Sequence, residues 1–132
     1  MNSEKLLKGF LLTASGLLCF SGVISLIDVQ LSLSSAGVII LTSTEANELT
    51  AIYGGVFIVL GALCFVVSKR IHDVEMVNFV GLAFWVVALS RFYAAFRHGF
   101  PESPRIYVNF ATELFLAAAI LILNRKVNKS TS

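Results

Sequence analysis

The chain of 132 residues is 57% hydrophobic and only 14% charged, with a mean hydropathy of +0.85, and this composition excludes an ordinary soluble globular domain. Its net charge of +2 is small and its basic residues are spread among segment ends, so no nucleic-acid partner is indicated. The apolar runs lack the alternation of membrane β-barrel strands. We therefore expect residues 1–132 to form one all-α domain embedded in the lipid bilayer.

Four apolar runs are each long enough to cross a bilayer as a helix, which takes about 20 residues. The predicted spans are residues 6–27, 49–67, 76–96 and 106–123. The first span has lysines at its start and could be mistaken for a signal peptide, but its length favours a helix that is retained. The connection between the first two spans is long, and its apolar centre is too short to cross. We expect this connection either to fold over the bundle mouth as a lid or to shield helix ends at the membrane interface.

The distribution of Lys and Arg predicts an orientation, because basic residues accumulate on the cytoplasmic side of membrane proteins. Both termini and the loop 68–75 carry most of the ten basic residues, namely Lys5, Lys8, Lys69, Arg70, Arg125, Lys126 and Lys129. The opposite side keeps three arginines, which acidic residues outnumber. The sequence therefore predicts a four-helix transmembrane bundle with both termini in the cytoplasm.

Small residues at helical spacing mark the faces on which the first two helices are expected to pack. The positions concerned are Ser15, Cys19, Gly22 and Ser25 in the first span, and Gly54 with Gly61 and Gly55 with Ala62 in the second. Small side chains let membrane helices approach closely, so we interpret these stripes as structural. Cys19 and Cys64 belong to no CxxC pair and lie in separate runs, so we expect neither a disulfide nor a metal site.

Six polar residues near one end of the bundle are not explained by packing: Glu48, Tyr53, Arg91, His98, Asn109 and Glu113. A charge within hydrocarbon costs several kcal/mol unless it is paired or reaches water, so Arg91 and Glu113 should face each other. Asn109 lies one turn before Glu113, and His98 shares a helix face with Arg91 if the third helix continues that far. Glu48 is the second acid that Arg91 could meet.

Two interpretations of this predicted cluster remain open. In the first, Arg91 bridges Glu48 and Glu113 in a buried ion network that fixes helix register. In the second, the cluster ends a pocket in which Arg91 holds an anionic or carbonyl group and an acid moves a proton. No nucleophile with its base and no metal-ligand spacing can be read from the sequence, so it assigns no catalytic residue, metal or cofactor.

The segments NELTAIYGG, HGFP and TELFLAAAILIL, together with Arg91, resemble the family described as domain of unknown function 4345. This family comprises small four-helix bacterial membrane proteins akin to the DoxX-like group, and the resemblance covers residues 6–125. The matching positions are Glu48, Leu49, Ala51, Tyr53, Gly54, Gly55, Arg91, Gly99, Pro101 and Glu113. The chain departs from the family pattern at Thr50, where an arginine is usual, and at His98, where an acid is common. The resemblance implies a bacterial inner-membrane location and no particular activity.

The sequence thus predicts a noncatalytic membrane module that binds either a lipid-like amphipathic molecule or a partner helix at the polar cluster. A structural accessory subunit with a buried ion network is the nearest alternative. A membrane enzyme acting on a lipid-soluble substrate is a third, with Glu48 or Glu113 as base and Arg91 as an electrostatic clamp. A transporter of this length would require an oligomer. The expected partners are the lipid bilayer, a lipid-like ligand, and a further copy of the chain or another membrane protein.

Overall fold

A computed structural model describes residues 2–100 and 102–131, and all regular secondary structure in these residues is helical. The elements are α1 (Ser3–Ile27), α2 (Val29–Ser34), α3 (Ser43–Thr50), a π-helical segment (Ala51–Val56), α4 (Phe57–Ser68), α5 (Val74–His98) and α6 (Pro104–Thr131). Because α3, the π-helical segment and α4 run on without a break, the described residues contain four helices long and apolar enough to cross a membrane. The predicted all-α, four-helix fold is confirmed. Pro101, expected in the turn before the last span, lies outside the described residues.

Each predicted span falls within one of these long helices, but the helices extend beyond the predicted ends. α1 begins early because the side chain of Asn2 accepts a hydrogen bond from the backbone N–H of Glu4. The second long helix begins at Ser43, where Thr42 and Glu45 form a capping box. Hydropathy does not detect such polar first turns, since the caps act through backbone hydrogen bonds.

The helices pack as two pairs, α1 with the second long helix and α5 with α6, and α1 joins the pairs through its contact with α6. Small residues allow the close contact between α1 and the second long helix. A Cβ built on Gly61 would lie 2.5 Å from Cys19 Sγ and 3.0 Å from the carbonyl oxygen of Ser15. At Gly55, by contrast, a Cβ would meet nothing within 4 Å. The face carrying Gly61 is therefore the one that packs on the predicted small-residue stripe of α1.

The bundle is packed unequally along its length. Its largest fully buried apolar side chains lie in the half that contains the start of α1 and the α4–α5 turn, namely Leu7, Leu11, Val67, Val77, Val80, Ile120 and Val127. In that half Asn124 is 1% exposed and donates hydrogen bonds to the carbonyl oxygen of Val74 and to Asn78 Oδ1. The half nearer α2 has fewer large buried side chains, and we call it the α2 end.

The long first connection folds over the α2 end. Leu33 of α2 is 6% exposed, and the hydroxyl of Ser32 is hydrogen-bonded to that of the buried Ser25 on α1, with 2.8 Å between the oxygens. The side-chain amide of Gln30 donates to the carbonyl oxygen of Val38 and so holds the chain after α2. The start of this connection therefore packs on α1 at the α2 end.

Candidate functional site

A cavity of about 390 Å³ lies among the four long helices and extends from the α2 end to Cys64 and Val80 in the other half of the bundle. Small-molecule sites commonly have volumes of roughly 300–1,000 Å³, so the cavity is large enough for a ligand. Apolar side chains from all four long helices line most of it, including Phe57, Leu60, Phe84 and Leu116. Its polar lining residues are Ser21, Ser32, Tyr53, Arg91, Arg105, Asn109, Thr112 and Glu113. Because these come from the helix ends nearest α2, the cavity is apolar toward the bundle centre and polar toward its mouth.

One side of the cavity is not closed by helix packing. Contacts of α1 with α4, of α1 with α6 and of α5 with α6 close three sides, whereas α4 and α5 scarcely touch. Leu60 of α4 and Ala83 of α5 nevertheless both line the cavity. In a membrane, the gap between these two helices would face lipid, since loops and water are confined to the bilayer surfaces.

Arg91 and Glu113 form an ion pair at the polar end of the cavity, as the sequence predicts. Arg91 Nε donates to both carboxylate oxygens of Glu113, at 2.8 Å to Oε2 and 3.0 Å to Oε1. The side chains of Arg91 and Glu113 are 26% and 15% exposed, so the pair is largely shielded by protein. It is the sole ion pair within residues 2–100 and 102–131, and it ties α5 to α6.

The ion pair uses only one of the three guanidinium nitrogens of Arg91. No oxygen of the described residues accepts a hydrogen bond from its Nη1 or Nη2. An arginine carries five N–H donors, and four of them belong to these two nitrogens. Glu113 thus fixes the guanidinium in place while its two terminal amino groups are available to another acceptor.

Tyr53 and Asn109, two further residues predicted for the cluster, are half-buried and line the same cavity. Tyr53 lies in the π-helical segment, next to the two glycines of the Tyr-Gly-Gly sequence. π-helical turns are rare and occur disproportionately at functional sites. Neither the Tyr53 hydroxyl nor the Asn109 amide has a hydrogen-bond partner among the described residues.

The ion bridge from Arg91 to Glu48, which belonged to the first of the two interpretations, is not formed within the described residues. Glu48 is exposed on α3, a helix without buried residues, and the cavity lining does not include it. α3 lies beyond the packed bundle. The expected position of Glu48 assumed an uninterrupted α-helix, but a π-helical segment follows α3 and changes the direction in which the preceding side chains point. His98 is also exposed and lines no part of the cavity; α5 ends there because Gly99 adopts a φ of +94°.

Arg105 was not among the residues predicted for the cluster, but it lines the cavity while remaining exposed. A signal for its position was present, since Arg105, Asn109 and Glu113 follow one another at intervals of four residues and so share one face of α6. Ser32 could not have been found in this way, because it reaches the site only through the fold of the first connection.

The length and apolar composition of its helices make the protein a multi-pass membrane protein of the four-helix class, with a cavity among its spans. The chain belongs to the family described as domain of unknown function 4345, whose match covers residues 6–124. Comparisons with curated proteins and with solved structures gave no match.

Proposed function

We propose that this protein binds a lipid-like amphipathic molecule, with the apolar part in the cavity and the polar part at Arg91. The observation that carries this proposal is the polarity of the cavity. Apolar side chains such as Phe57, Leu60 and Leu116 line most of it, whereas Arg91 and Glu113 lie toward the mouth. Ligand sites are typically apolar with a few placed polar groups that fix orientation.

The gap between α4 and α5 supports a ligand that is dissolved in the bilayer. An amphipathic molecule could move sideways from the lipid into the cavity without passing through water, because no helix packing separates the two. Its headgroup would stay at the depth of the ion pair, near the α2 end. The first connection, which contributes Ser32 and Leu33 to the cavity lining, would then cover the headgroup from the water side, and this is one of the two roles that the sequence leaves open.

The site favours binding over chemistry. Glu113 is the only carboxylate among the described residues that line the cavity, and both of its oxygens are hydrogen-bonded to Arg91 Nε. No second acid or histidine in this lining could share proton transfer with it. A structural role is the second candidate, because the same ion pair joins α5 to α6.

We also propose that both termini lie in the cytoplasm and that the membrane is a bacterial inner membrane, so the α2 end faces outward. The excess of Lys and Arg at the termini and in the α4–α5 turn supports this orientation. In spheroplasts, a cysteine introduced at Lys129 should react with a membrane-impermeant maleimide only after lysis, in a Cys19→Ala/Cys64→Ala background. Labelling of intact spheroplasts would contradict this orientation and place the C-terminus outside the cytoplasm.

Native mass spectrometry tests the proposed function. The wild-type protein, purified in a mild detergent and titrated with a long-chain fatty acid, is expected to retain one bound amphipathic molecule in preference to the detergent. Arg91→Ala should lose that molecule. If this variant stays folded and retains it, or if the wild type shows no specific adduct, the binding function is contradicted. Loss of the fold, measured by circular dichroism, would favour the structural role.

A further inference from the structure

We infer that the headgroup of the ligand is an anionic oxygen group, a carboxylate or a phosphate, held by Arg91 and Arg105. This inference rests on the proposed binding function and adds the chemical class of the ligand. It is carried by the free donors of Arg91, the charges of the cavity lining and the placement of Arg105.

The guanidinium of Arg91 is oriented for an anion. Its Nε donates to Glu113, and its Nη1 and Nη2 have no acceptor among the described residues. The planar group offers pairs of parallel N–H donors, which match the two oxygens of a carboxylate or phosphate. Because Glu113 already holds the side chain in position, little further ordering is needed on binding.

The charges that line the cavity favour an anion over a cation. Its charged lining residues, within the part of the chain that the structure describes, are Arg91, Arg105 and Glu113. Two positive groups thus face one negative group, and that negative group is already paired with Arg91. An ammonium headgroup would meet unbalanced positive charge beside an ion pair that is largely shielded by protein, where electrostatic interactions are stronger than in bulk water.

Two residues with neutral hydrogen-bond donors line the same cavity as the two arginines. Asn109 is one turn after Arg105 and one turn before Glu113 on the same face of α6, and it lines the cavity. Tyr53 contributes a hydroxyl from the opposite helix pair. An anion between these groups would accept hydrogen bonds from several directions, and hydrogen bonds to a charged acceptor are stronger than those to a neutral one.

The test compares ligands that share a tail and differ in headgroup. The wild-type protein in nanodiscs of a zwitterionic lipid is titrated with dodecanoate, dodecyl phosphate, dodecanol and dodecylamine, at a pH that ionises the carboxylate. We expect the two anions to bind at least about tenfold more tightly than the alcohol, and the amine not to bind. Inorganic phosphate alone should not displace dodecanoate, because it has no tail to fill the apolar part of the cavity.

Charge-removing variants identify the residues responsible. Arg91→Gln/Glu113→Gln keeps both side chains polar while removing both charges, and it should reduce the preference for dodecanoate over dodecanol to less than about threefold. Arg105→Gln should weaken dodecanoate binding and leave dodecanol binding unchanged. Arg97→Gln is the matched control, since Arg97 is exposed on α5 and does not line the cavity. If the double variant does not fold, the comparison of Arg105→Gln with Arg97→Gln decides the question.

Equal affinity for dodecanoate and dodecanol would overturn the anionic headgroup and leave the proposed binding function intact. Displacement of dodecanoate by inorganic phosphate alone would overturn it as well, because the site would then bind a free anion. Failure of all four amphipathic compounds to bind would contradict the binding function itself.

Discussion

Replacing Ala83 with phenylalanine is expected to abolish ligand binding while leaving the four-helix bundle folded. Ala83 lines the cavity from α5, at the side where α5 and α4 are not in close contact. A phenyl ring there would extend into open space that the ligand is proposed to occupy, so the substitution should not force the helices apart. The measurement is covalent labelling by a fatty acid that carries a photoreactive group in its chain, which should fall to background.

Ala94→Phe is the matched control for this substitution. Ala94 lies on the same helix and is exposed, and it does not line the cavity. It should keep wild-type labelling, because its new ring would lie in lipid. If Ala83→Phe remains folded and is labelled as strongly as Ala94→Phe, the cavity is not the binding site.

Removing Glu113 alone is expected to destabilise the bundle strongly. Glu113→Ala leaves Arg91, which is 26% exposed, without its ion-pair partner in the membrane-embedded part of α5. Loss of one partner of a fully buried pair typically costs roughly 3–5 kcal/mol, and partial exposure should reduce this to about 2 kcal/mol. The free energy of unfolding, measured by titration with SDS, reports the change.

The paired replacement Arg91→Leu/Glu113→Leu separates charge coupling from packing. It removes both charges and keeps apolar volume at both positions, so it should lie within about 1 kcal/mol of the wild type. A double variant as unstable as Glu113→Ala would show that the loss comes from packing and not from an uncompensated arginine. The double variant should also lose its ligand, which a purely structural ion pair would not require.

The spans and the central ion pair could be predicted from the sequence because hydrocarbon imposes strong, local rules. Each span must be about 20 apolar residues long, and a charge within it must find a partner. Arg91 and Glu113 have opposite signs and lie at similar depth in neighbouring spans, so their pairing followed from charge and helix rise alone.

Glu48 was misplaced because its position depends on a departure from α-helical geometry. Because the π-helical segment Ala51–Val56 has more residues per turn than an α-helix, the side chains before it are rotated about the helix axis relative to those after it. Nothing in hydropathy or residue spacing indicates such a segment. Tyr53, which lies within the segment, lines the cavity, whereas Glu48 on the preceding turn is exposed and does not.

The cavity itself could not be predicted, because it depends on the absence of close packing between two particular helices. The sequence supplies small-residue stripes that bring α1 and the second long helix together around Gly61. It gives no comparable signal for the gap between α4 and α5. The contribution of Ser32 likewise depends on how the first connection folds over the bundle.

Mapping the photolabelled residues in the wild-type protein tests the central claim most directly. The same photoreactive fatty acid is crosslinked in nanodiscs, and the labelled peptides are sequenced by mass spectrometry with and without excess unlabelled fatty acid. We expect labelling at the cavity residues Phe57, Leu60, Phe84 and Leu116 that the unlabelled fatty acid reduces by competition. Labelling confined to lipid-facing residues such as Phe20 and Phe79, and unaffected by the competitor, would contradict it.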